Sequence, residues 1–230
     1  MHDFCFGSRL LCNFFSNVVK YLRSFYLPCK ELCIVMELCH EGDLKALLWS
    51  FEVHDERNVW RFLFTMSNVL KYIHSNDIIH RDIKPQNILG KILPNGNMDI
   101  KLADFGIAKQ MEVGDYEKEA YTNSLLGTPI YMAPEVWKGN GYGKSSDVWS
   151  LGAVVAYLIN EDHLFHNVES VMRWPGGISP IFSNKYQYSN ELHNLLGMML
   201  NPNESLRPPA SLISSIASGY ALYDVAISYF

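Results

Sequence analysis

The chain has 230 residues, of which 48% are hydrophobic and 19% are charged, and this is the composition of a globular protein rather than a disordered one. The length is sufficient for one large domain or two small lobes with a substantial core. The formal net charge of −5 argues against nucleic acid or an anionic membrane as the main partner.

Targeting and redox features predict a cytoplasmic protein, with the nucleus as the open alternative. The N-terminus carries an acid at Asp3 and lacks the basic region and long apolar run of a signal peptide. The longest apolar run, residues 153–159, is too short to span a bilayer. The five cysteines lie within the first 39 residues and form no Cys-x-x-Cys pair, which favours reduced thiols over a zinc site.

The predicted secondary structure begins with strands and continues with helices. Residues 31–38 are rich in Ile, Val and Leu and predict a buried strand, for which residues 17–26 are a candidate antiparallel neighbour through a turn at Pro28. Apolar side chains recur every three or four positions in residues 56–74, which predicts a helix with one buried stripe. Residues 146–159 are apolar nearly all round and predict a central buried helix. Further helices are predicted near residues 190–200 and 209–217.

Residues 87–106 predict a β-hairpin, because two apolar runs flank a strong turn signal at residues 94–96. The ends of a hairpin meet at its open side, so Asn87 and Asp104 should lie side by side. Asp82 precedes Asn87 by five residues in the same loop. Carboxylate and amide oxygens suit Mg²⁺, which prefers few protein ligands. The alternative is that Asn87 and Asp104 only cap turns.

Several short motifs occur in a fixed order along the chain. They are His80-Arg81-Asp82, Asn87 five residues after that aspartate, Asp104-Phe105-Gly106, Ala133-Pro134-Glu135, "DVWSLG" and "SLRP". This order is similar to the signature of protein kinases, and from residue 17 to about residue 217 the chain resembles a eukaryotic serine/threonine protein kinase of the NIMA-related family.

The resemblance implies an α+β, protein-kinase-like fold of two lobes. The remnant of a truncated, β-rich small lobe and the hinge would occupy residues 1–39. A mainly helical large lobe would follow in residues 40–217, and a C-terminal tail in residues 218–230.

The resemblance also implies transfer of the γ-phosphoryl group of ATP to Ser or Thr hydroxyls of protein substrates, with Mg²⁺ as the metal. Asp82 would be the catalytic base that orients the substrate hydroxyl. Lys84 would contact the transferred phosphate and favour Ser/Thr over Tyr substrates. Asn87 and Asp104 would hold Mg²⁺.

The nucleotide base would bind at the hinge, which the resemblance places at residues 35–39. Met36 would be the gatekeeper, and the backbones of Glu37 and Cys39 would bind adenine. Leu89 would form the floor of the pocket.

Regulation would act through an activation segment in residues 104–135. Ser124 matches the position where such kinases are commonly phosphorylated, and Arg81 would bind the phosphate through charge-assisted hydrogen bonds. Thr128 matches a threonine of the substrate pocket that also supports Asp82. An activating kinase or a regulatory subunit is therefore a candidate partner.

Other matched residues have structural roles by the same resemblance. His80 and Phe105 would belong to the buried spine of the large lobe. Asp147 would stabilise the catalytic loop from the buried helix, and Arg207 would pair with Glu135.

Three parts of the kinase pattern have no match before the hinge: the glycine-rich phosphate loop, the strand lysine and the helix glutamate. The only glycine there is Gly7, and the only lysines are Lys20 and Lys30. Since the metal-site groups are kept, the favoured interpretation is a truncated product of an active kinase, with weak nucleotide binding and little or no turnover of its own. A catalytically impaired pseudokinase that acts as a scaffold stays open, whereas a purely structural module fits poorly.

Overall fold

Strands and helices follow one another along the chain in the computed structural model, which describes residues 15–48, 55–93, 98–106, 108–110, 129–181 and 186–221. The strands are β1 (Tyr21–Tyr26), β2 (Leu32–Met36), β3 (Ile78–Ile79), β4 (Ile88–Ile92), β5 (Met98–Leu102) and β6 (Lys109–Gln110). The α-helices are α1 (Leu44–Leu47), α2 (Glu56–Ser75), α3 (Pro134–Trp137), α4 (Lys144–Asn160), α5 (Val168–Met172), α6 (Asn190–Met199) and α7 (Ala210–Ala221). Single 3₁₀ turns lie at Pro85–Asn87, Pro129–Tyr131 and Glu204–Leu206.

The predicted pairing of the N-terminal strands is confirmed, but their predicted burial is not. β1 and β2 are antiparallel, with Arg23 opposite Val35. The prediction that the second strand is buried is wrong, because Leu32, Ile34 and Met36 are 38%, 39% and 48% exposed. Within the described residues this sheet has two strands.

Residues 17–19 attach this strand pair to the rest of the molecule. The Leu102 N–H donates to the Asn17 carbonyl at 2.8 Å, and the Val19 N–H donates to the Leu102 carbonyl at 2.9 Å. Val18, between them, is buried in the main hydrophobic core. The small β-rich part is therefore fixed to the end of β5.

The four predicted helices are confirmed, with small differences in their bounds. α2 begins after Asp55, whose side chain accepts the Arg57 N–H, and its apolar stripe packs on α7 and α4. α4 is buried on all sides along most of its length. α7 continues to Ala221, where the Trp60 and Tyr220 rings stack at 4.3 Å between centroids. Among the described residues no helix is long and apolar enough to cross a membrane.

The α+β fold class with a small β-strand region and a mainly helical part is thus confirmed. The domain boundaries near residues 39 and 217 stay predictions.

The predicted second hairpin is also present. β4 and β5 pair antiparallel from Ile88 opposite Leu102 to Ile92 opposite Met98. Its turn, residues 94–97, lies outside the described residues. The register fixes which residues stand at the open end, and this end positions the candidate site.

Candidate active site

The open end of the β4–β5 hairpin brings Asn87 next to Asp104. The Ala103 N–H donates to the Asn87 carbonyl at 2.8 Å, which extends the ladder by one pair beyond the strands. Asp104 is the next residue after Ala103. The predicted juxtaposition of Asn87 with the start of the Asp104-Phe105-Gly106 motif is therefore confirmed at the level of the backbone.

Asp147 of α4 holds the loop that precedes this hairpin. Its buried carboxylate accepts the His80 N–H on Oδ2 at 2.9 Å and the Arg81 N–H on Oδ1 at 3.0 Å. Oδ2 also bonds the His74 Nε2 at 2.9 Å. Arg81 has a positive φ of 69°, a conformation that non-glycine residues adopt only when the surroundings hold them there. The predicted stabilising role of Asp147 is thus confirmed.

His80 is a buried structural residue of this loop. Its Nε2 bonds the Ala103 carbonyl at 3.0 Å, and its Nδ1 accepts the Asp82 N–H at 3.3 Å. One ring nitrogen therefore donates while the other accepts, which is the pattern of the neutral imidazole. Burial lowers the pKa of His80 and favours the same neutral form. The Phe105 ring packs edge-on against it at 4.7 Å between centroids.

Asp82, Lys84 and Asn87 form one hydrogen-bonded cluster. The Lys84 Nζ lies 2.6 Å from the Asp82 Oδ2, and the Asn87 Nδ2 donates to the same oxygen at 3.0 Å. Asn87 Nδ2 also donates to the Asp82 carbonyl at 2.8 Å. Both of these side-chain contacts fall on Oδ2, so among the described residues Oδ1 is the carboxylate oxygen with capacity for a further hydrogen bond. All three side chains are largely buried, which fixes their orientation.

The donor set at the hairpin end fits a divalent cation with oxygen ligands. Because the Asn87 amide nitrogen is committed to Asp82, the amide oxygen is the atom that remains for a cation. Asp104 is exposed at a positive φ of 59°, and its Oδ1 accepts the Gly106 N–H at 3.1 Å. Across the described ranges, no three His, Cys, Asp or Glu side chains form a metal cluster. A cation here would have few protein ligands, as Mg²⁺ does when phosphates supply the rest.

The segment that directly follows the predicted hinge lies beside β4. The Gly90 N–H donates to the Gly42 carbonyl at 2.9 Å, and the Glu41 N–H donates to the Gly90 carbonyl at 3.3 Å. The Glu37 N–H donates to the Lys20 carbonyl at 2.9 Å, whereas the Glu37 carbonyl accepts no backbone hydrogen bond from the described loop residues.

Leu89, Cys39 and Met36 are the other residues predicted for the nucleotide pocket. Leu89 of β4 is half-buried and forms a backbone bridge with Asp43, just after the hinge. Cys39 is half-buried, and burial followed by the nearby charge of Glu37 raises the pKa of its thiol. Met36 ends β2 and is partly exposed. The hinge and Leu89 are thus brought together, while their roles toward a nucleotide stay predictions.

Part of the predicted regulatory set is outside the described residues, namely Ser124 and Thr128. Arg81 is described: its guanidinium lies 6.0 Å from the centroid of the Tyr142 ring. Burial lowers the pKa of Arg81, although the group remains a cation at neutral pH. The regulatory assignments of these three residues stay predictions.

The sequence analysis missed the side chain of Glu37. Its carboxylate bonds Lys91 and Lys101, two lysines of the β4–β5 hairpin. The sequence contained a signal for this contact, since Lys101 stands between Ile100 and Leu102 in a predicted strand. A buried ammonium group at that position requires a partner of opposite charge. The sequence alone does not say which acid supplies it.

Comparison with known proteins agrees with this site. Residues 9–216 match the family model described as protein kinase domain. The chain is similar to the probable serine/threonine-protein kinase nek3 of Dictyostelium discoideum, with 34% identity over 84% of the chain and 17% of that protein. It is also similar to the probable serine/threonine-protein kinase nek2 of the same organism, with 33% identity over 84% of the chain and 46% of that protein.

A third relative is the serine/threonine-protein kinase DCLK1 of Rattus norvegicus, with 36% identity over 62% of the chain and 31% of that protein. The chain thus spans less than half the length of each of these relatives. The two nek kinases agree with the predicted resemblance to the NIMA-related family. The chain belongs to the protein kinase domain family, and these relatives are serine/threonine protein kinases.

Proposed function

We propose that this protein transfers the γ-phosphoryl group of ATP to Ser or Thr hydroxyls of protein substrates, with Mg²⁺ as the metal. The observation that carries the proposal is the Asp82 carboxylate, held on Oδ2 by Lys84 and Asn87 beside the Asp104 backbone. Phosphoryl transfer requires mainly positioning and electrostatic stabilisation, and this cluster offers both.

Each residue of the cluster has a separate task in this proposal. Asp82 accepts the hydrogen bond of the substrate hydroxyl on Oδ1 and takes its proton as the new O–P bond forms. The bond between the γ-phosphorus and the oxygen that bridges it to the β-phosphate breaks in the same step, and ADP leaves with that oxygen. Lys84, already at the Asp82 carboxylate, places a positive charge where the transferred phosphoryl carries negative charge. Asn87 and Asp104 would hold Mg²⁺, which neutralises phosphate charge when it is bound.

The nucleotide base binds at the hinge in this proposal. The Glu37 carbonyl and the Cys39 backbone contact adenine, Met36 stands at the back of the pocket, and Leu89 lies under the base. Support comes from the hydrogen bonds that hold the segment after the hinge against β4. Such preformed contacts reduce the ordering cost of binding.

We expect Asp82→Asn to lower transfer of radiolabelled phosphate from ATP to a generic Ser/Thr protein substrate by at least about 10²-fold, as for other positioned acid–base groups. The assay uses the longest product of the gene that contains this chain, with the 230-residue chain in parallel. For the 230-residue chain itself we expect little or no turnover, because its residues before the hinge include no glycine-rich loop and no strand lysine.

The matched control is Asp77→Asn, an exposed aspartate whose Oδ1 lies 2.7 Å from the Lys144 Nζ. It should leave the rate within about twofold, since exposed ion pairs contribute little. Equal transfer by the wild type and Asp82→Asn forms of the longest gene product would contradict the kinase proposal and favour a scaffold role.

Regulation through Ser124 is a second part of the proposal. A phosphate there would add nearly two negative charges to a segment that is already acidic through Glu112, Asp115, Glu117 and Glu119. Without a nearby cation, the phosphate and these acidic side chains would repel one another and loosen the segment. Arg81 can supply the cation, because it directly precedes Asp82 and its backbone is held by Asp147. Docking would bring Thr128 to Asp82, where Lys84 already lies, so an activating kinase is a proposed partner.

We expect Ser124→Ala to lower kinase activity of the longest gene product markedly, and to be nearly silent once Arg81 is replaced by Ala. The effects of two substitutions are not additive when both residues act through the same contact. Thr122→Ala, in the same segment, is the control and should have a smaller effect. Additive losses from Ser124→Ala and Arg81→Ala would exclude this coupling.

A further inference from the structure

A set of largely buried charges outside the candidate active site joins the hinge to the β4–β5 hairpin. The Glu37 Oε2 is 2.6 Å from the Lys91 Nζ of β4, and its Oε1 is 2.9 Å from the Lys101 Nζ of β5. The Lys20 N–H also donates to the Glu37 Oε1, at 2.8 Å. The Glu37 and Lys101 side chains are only 12% and 9% exposed, so these charges are largely removed from water.

Further contacts extend this set to the N-terminal segment. Lys101 lies 3.8 Å from the Asp99 Oδ2 and also donates to the Ser16 carbonyl. The Asn17 Nδ2 donates to the Asp99 Oδ1 at 2.6 Å and to the Ile100 carbonyl at 2.9 Å. We call the five residues Glu37, Lys91, Lys101, Asp99 and Asn17 the hinge network.

The charge state of Glu37 agrees with this geometry. Burial alone raises the pKa of the carboxyl, but hydrogen bonds from Lys91 and Lys101 and from the Lys20 N–H outweigh it and lower the pKa to about 2. The carboxylate is therefore ionised at neutral pH. A buried charge of this kind keeps its place only while its partners remain, since an unpaired charge in the same position is strongly unfavourable.

The hinge network joins the two parts of the proposed nucleotide site, which are the hinge and the β4–β5 hairpin. Glu37 is the hinge residue whose backbone carbonyl is proposed to contact the base, while its side chain is held by Lys91 of β4 and Lys101 of β5. The same two strands carry Leu89 and are flanked by Asn87 and Asp104. Movement of the hinge away from the hairpin would therefore break the Glu37 ion pairs.

We propose that Glu37 is a positioning residue, whose carboxylate, bonded to Lys91 and Lys101, holds the hinge backbone against the β4–β5 hairpin so that the nucleotide base meets a preformed site. This inference rests on the proposed ATP binding. It assigns to the side chain of Glu37 a task separate from that of its backbone.

The test is the affinity of the 230-residue chain for N-methylanthraniloyl-ATP with Mg²⁺, measured by fluorescence for the wild type, Glu37→Gln, Lys101→Met and the double variant. Each single change should raise the Kd by at least about fivefold, the lower end of typical coupling effects. The double variant should be little worse than either single one, because both remove the same contact. Lys101→Arg, which keeps the charge, should recover part of the affinity.

A second ligand separates positioning from general stability. Mg²⁺-tripolyphosphate lacks the base, so its affinity, measured by competition, should be nearly unchanged in Glu37→Gln when the binding is corrected for the folded fraction. The exposed pair Glu169 and Arg173, with Oε1 and NH2 2.6 Å apart, supplies matched controls in Glu169→Gln and Arg173→Met. These should leave both affinities unchanged.

The possible results separate the positioning role of Glu37 from the proposed binding of ATP. Equal loss of nucleotide and tripolyphosphate affinity, or additive effects of Glu37→Gln and Lys101→Met, would overturn the positioning role while leaving ATP binding intact. Absence of Mg²⁺-dependent nucleotide binding by the wild type would overturn the proposed binding of ATP at the hinge of this chain, and the positioning role with it.

Discussion

Replacing Asp147 by Asn is expected to lower the free energy of unfolding by about 3–5 kcal/mol, because hydrogen bonds to a buried charged group contribute about 1.5–3 kcal/mol each. Asp147 is 1% exposed and accepts from the His80 and Arg81 backbone N–H groups and contacts the His74 ring. The amide of Asn carries one NH₂ group, which would face a donor instead of accepting from it.

The same change should also lower catalysis by the folded protein. Arg81 keeps its positive φ of 69° only while its N–H is held, so the loop should relax once the bond to Asp147 is lost. Asp82 is the next residue along the chain. A displacement of about 1 Å at a positioned group can cost about 10²-fold in rate.

Urea denaturation of both proteins measures the stability, and phosphate transfer at a temperature where both are folded measures the rate. Asp77→Asn serves as the exposed control and should change the unfolding free energy by less than about 0.5 kcal/mol. If Asp147→Asn proved as stable and as active as that control, Asp147 would have no role in holding the loop.

The juxtaposition of Asn87 and Asp104, the two residues predicted to hold Mg²⁺, could be predicted from the sequence because it follows from a local rule. A turn signal between two apolar runs indicates a hairpin, and a hairpin places its two ends together whatever surrounds it. The ladder bond between Ala103 and Asn87 is the result. The contacts of Asp147 with the loop followed from family resemblance instead, since no spacing rule connects residue 147 with residues 80 and 81.

Burial of β2 and the partners of Glu37 could not be predicted in the same way. Periodicity shows which side chains of a strand are apolar, but not whether another layer covers them, and Ile34 and Met36 are left exposed. The bond between Glu37 and Lys101 joins residues far apart in sequence through their side chains. It depends on how the hinge and the hairpin pack together, which no local pattern specifies.

A buried ion pair fixes the segment around α3 to the end of the large helical region. Arg207 NH1 and NH2 each lie 2.7 Å from one oxygen of the Glu135 carboxylate, as the resemblance predicted. The Arg207 and Glu135 side chains are 0% and 4% exposed. Arg207 also donates from Nε to the Asn201 carbonyl at 2.8 Å, and its guanidinium lies 5.0 Å from the centroid of the Trp149 ring.

Arg207→Met is therefore expected to lower the free energy of unfolding by about 3–5 kcal/mol, the usual cost of leaving one partner of a buried pair uncompensated. The Met side chain is similar in length to that of Arg, so the change removes the guanidinium group without leaving a large cavity. Glu135 would then keep only the Ser146 hydroxyl as a hydrogen-bond donor among its described partners. The unfolding free energy of Arg207→Lys should lie between those of the wild type and Arg207→Met, because Lys keeps the charge but cannot make two parallel bonds to one carboxylate.

A double-mutant cycle with Glu135→Gln, followed by urea denaturation, isolates the pair from the packing around it. The double variant should lose clearly less stability than the sum of the single changes, because the second substitution removes the charge that the first left unpaired. The exposed pair Glu169 and Arg173, 65% and 79% exposed, gives the reference cycle. Its coupling should be no more than about 1 kcal/mol, as for other surface pairs. A coupling of the same small size between Glu135 and Arg207 would show that packing against Trp149, rather than the ion pair, holds this segment in place.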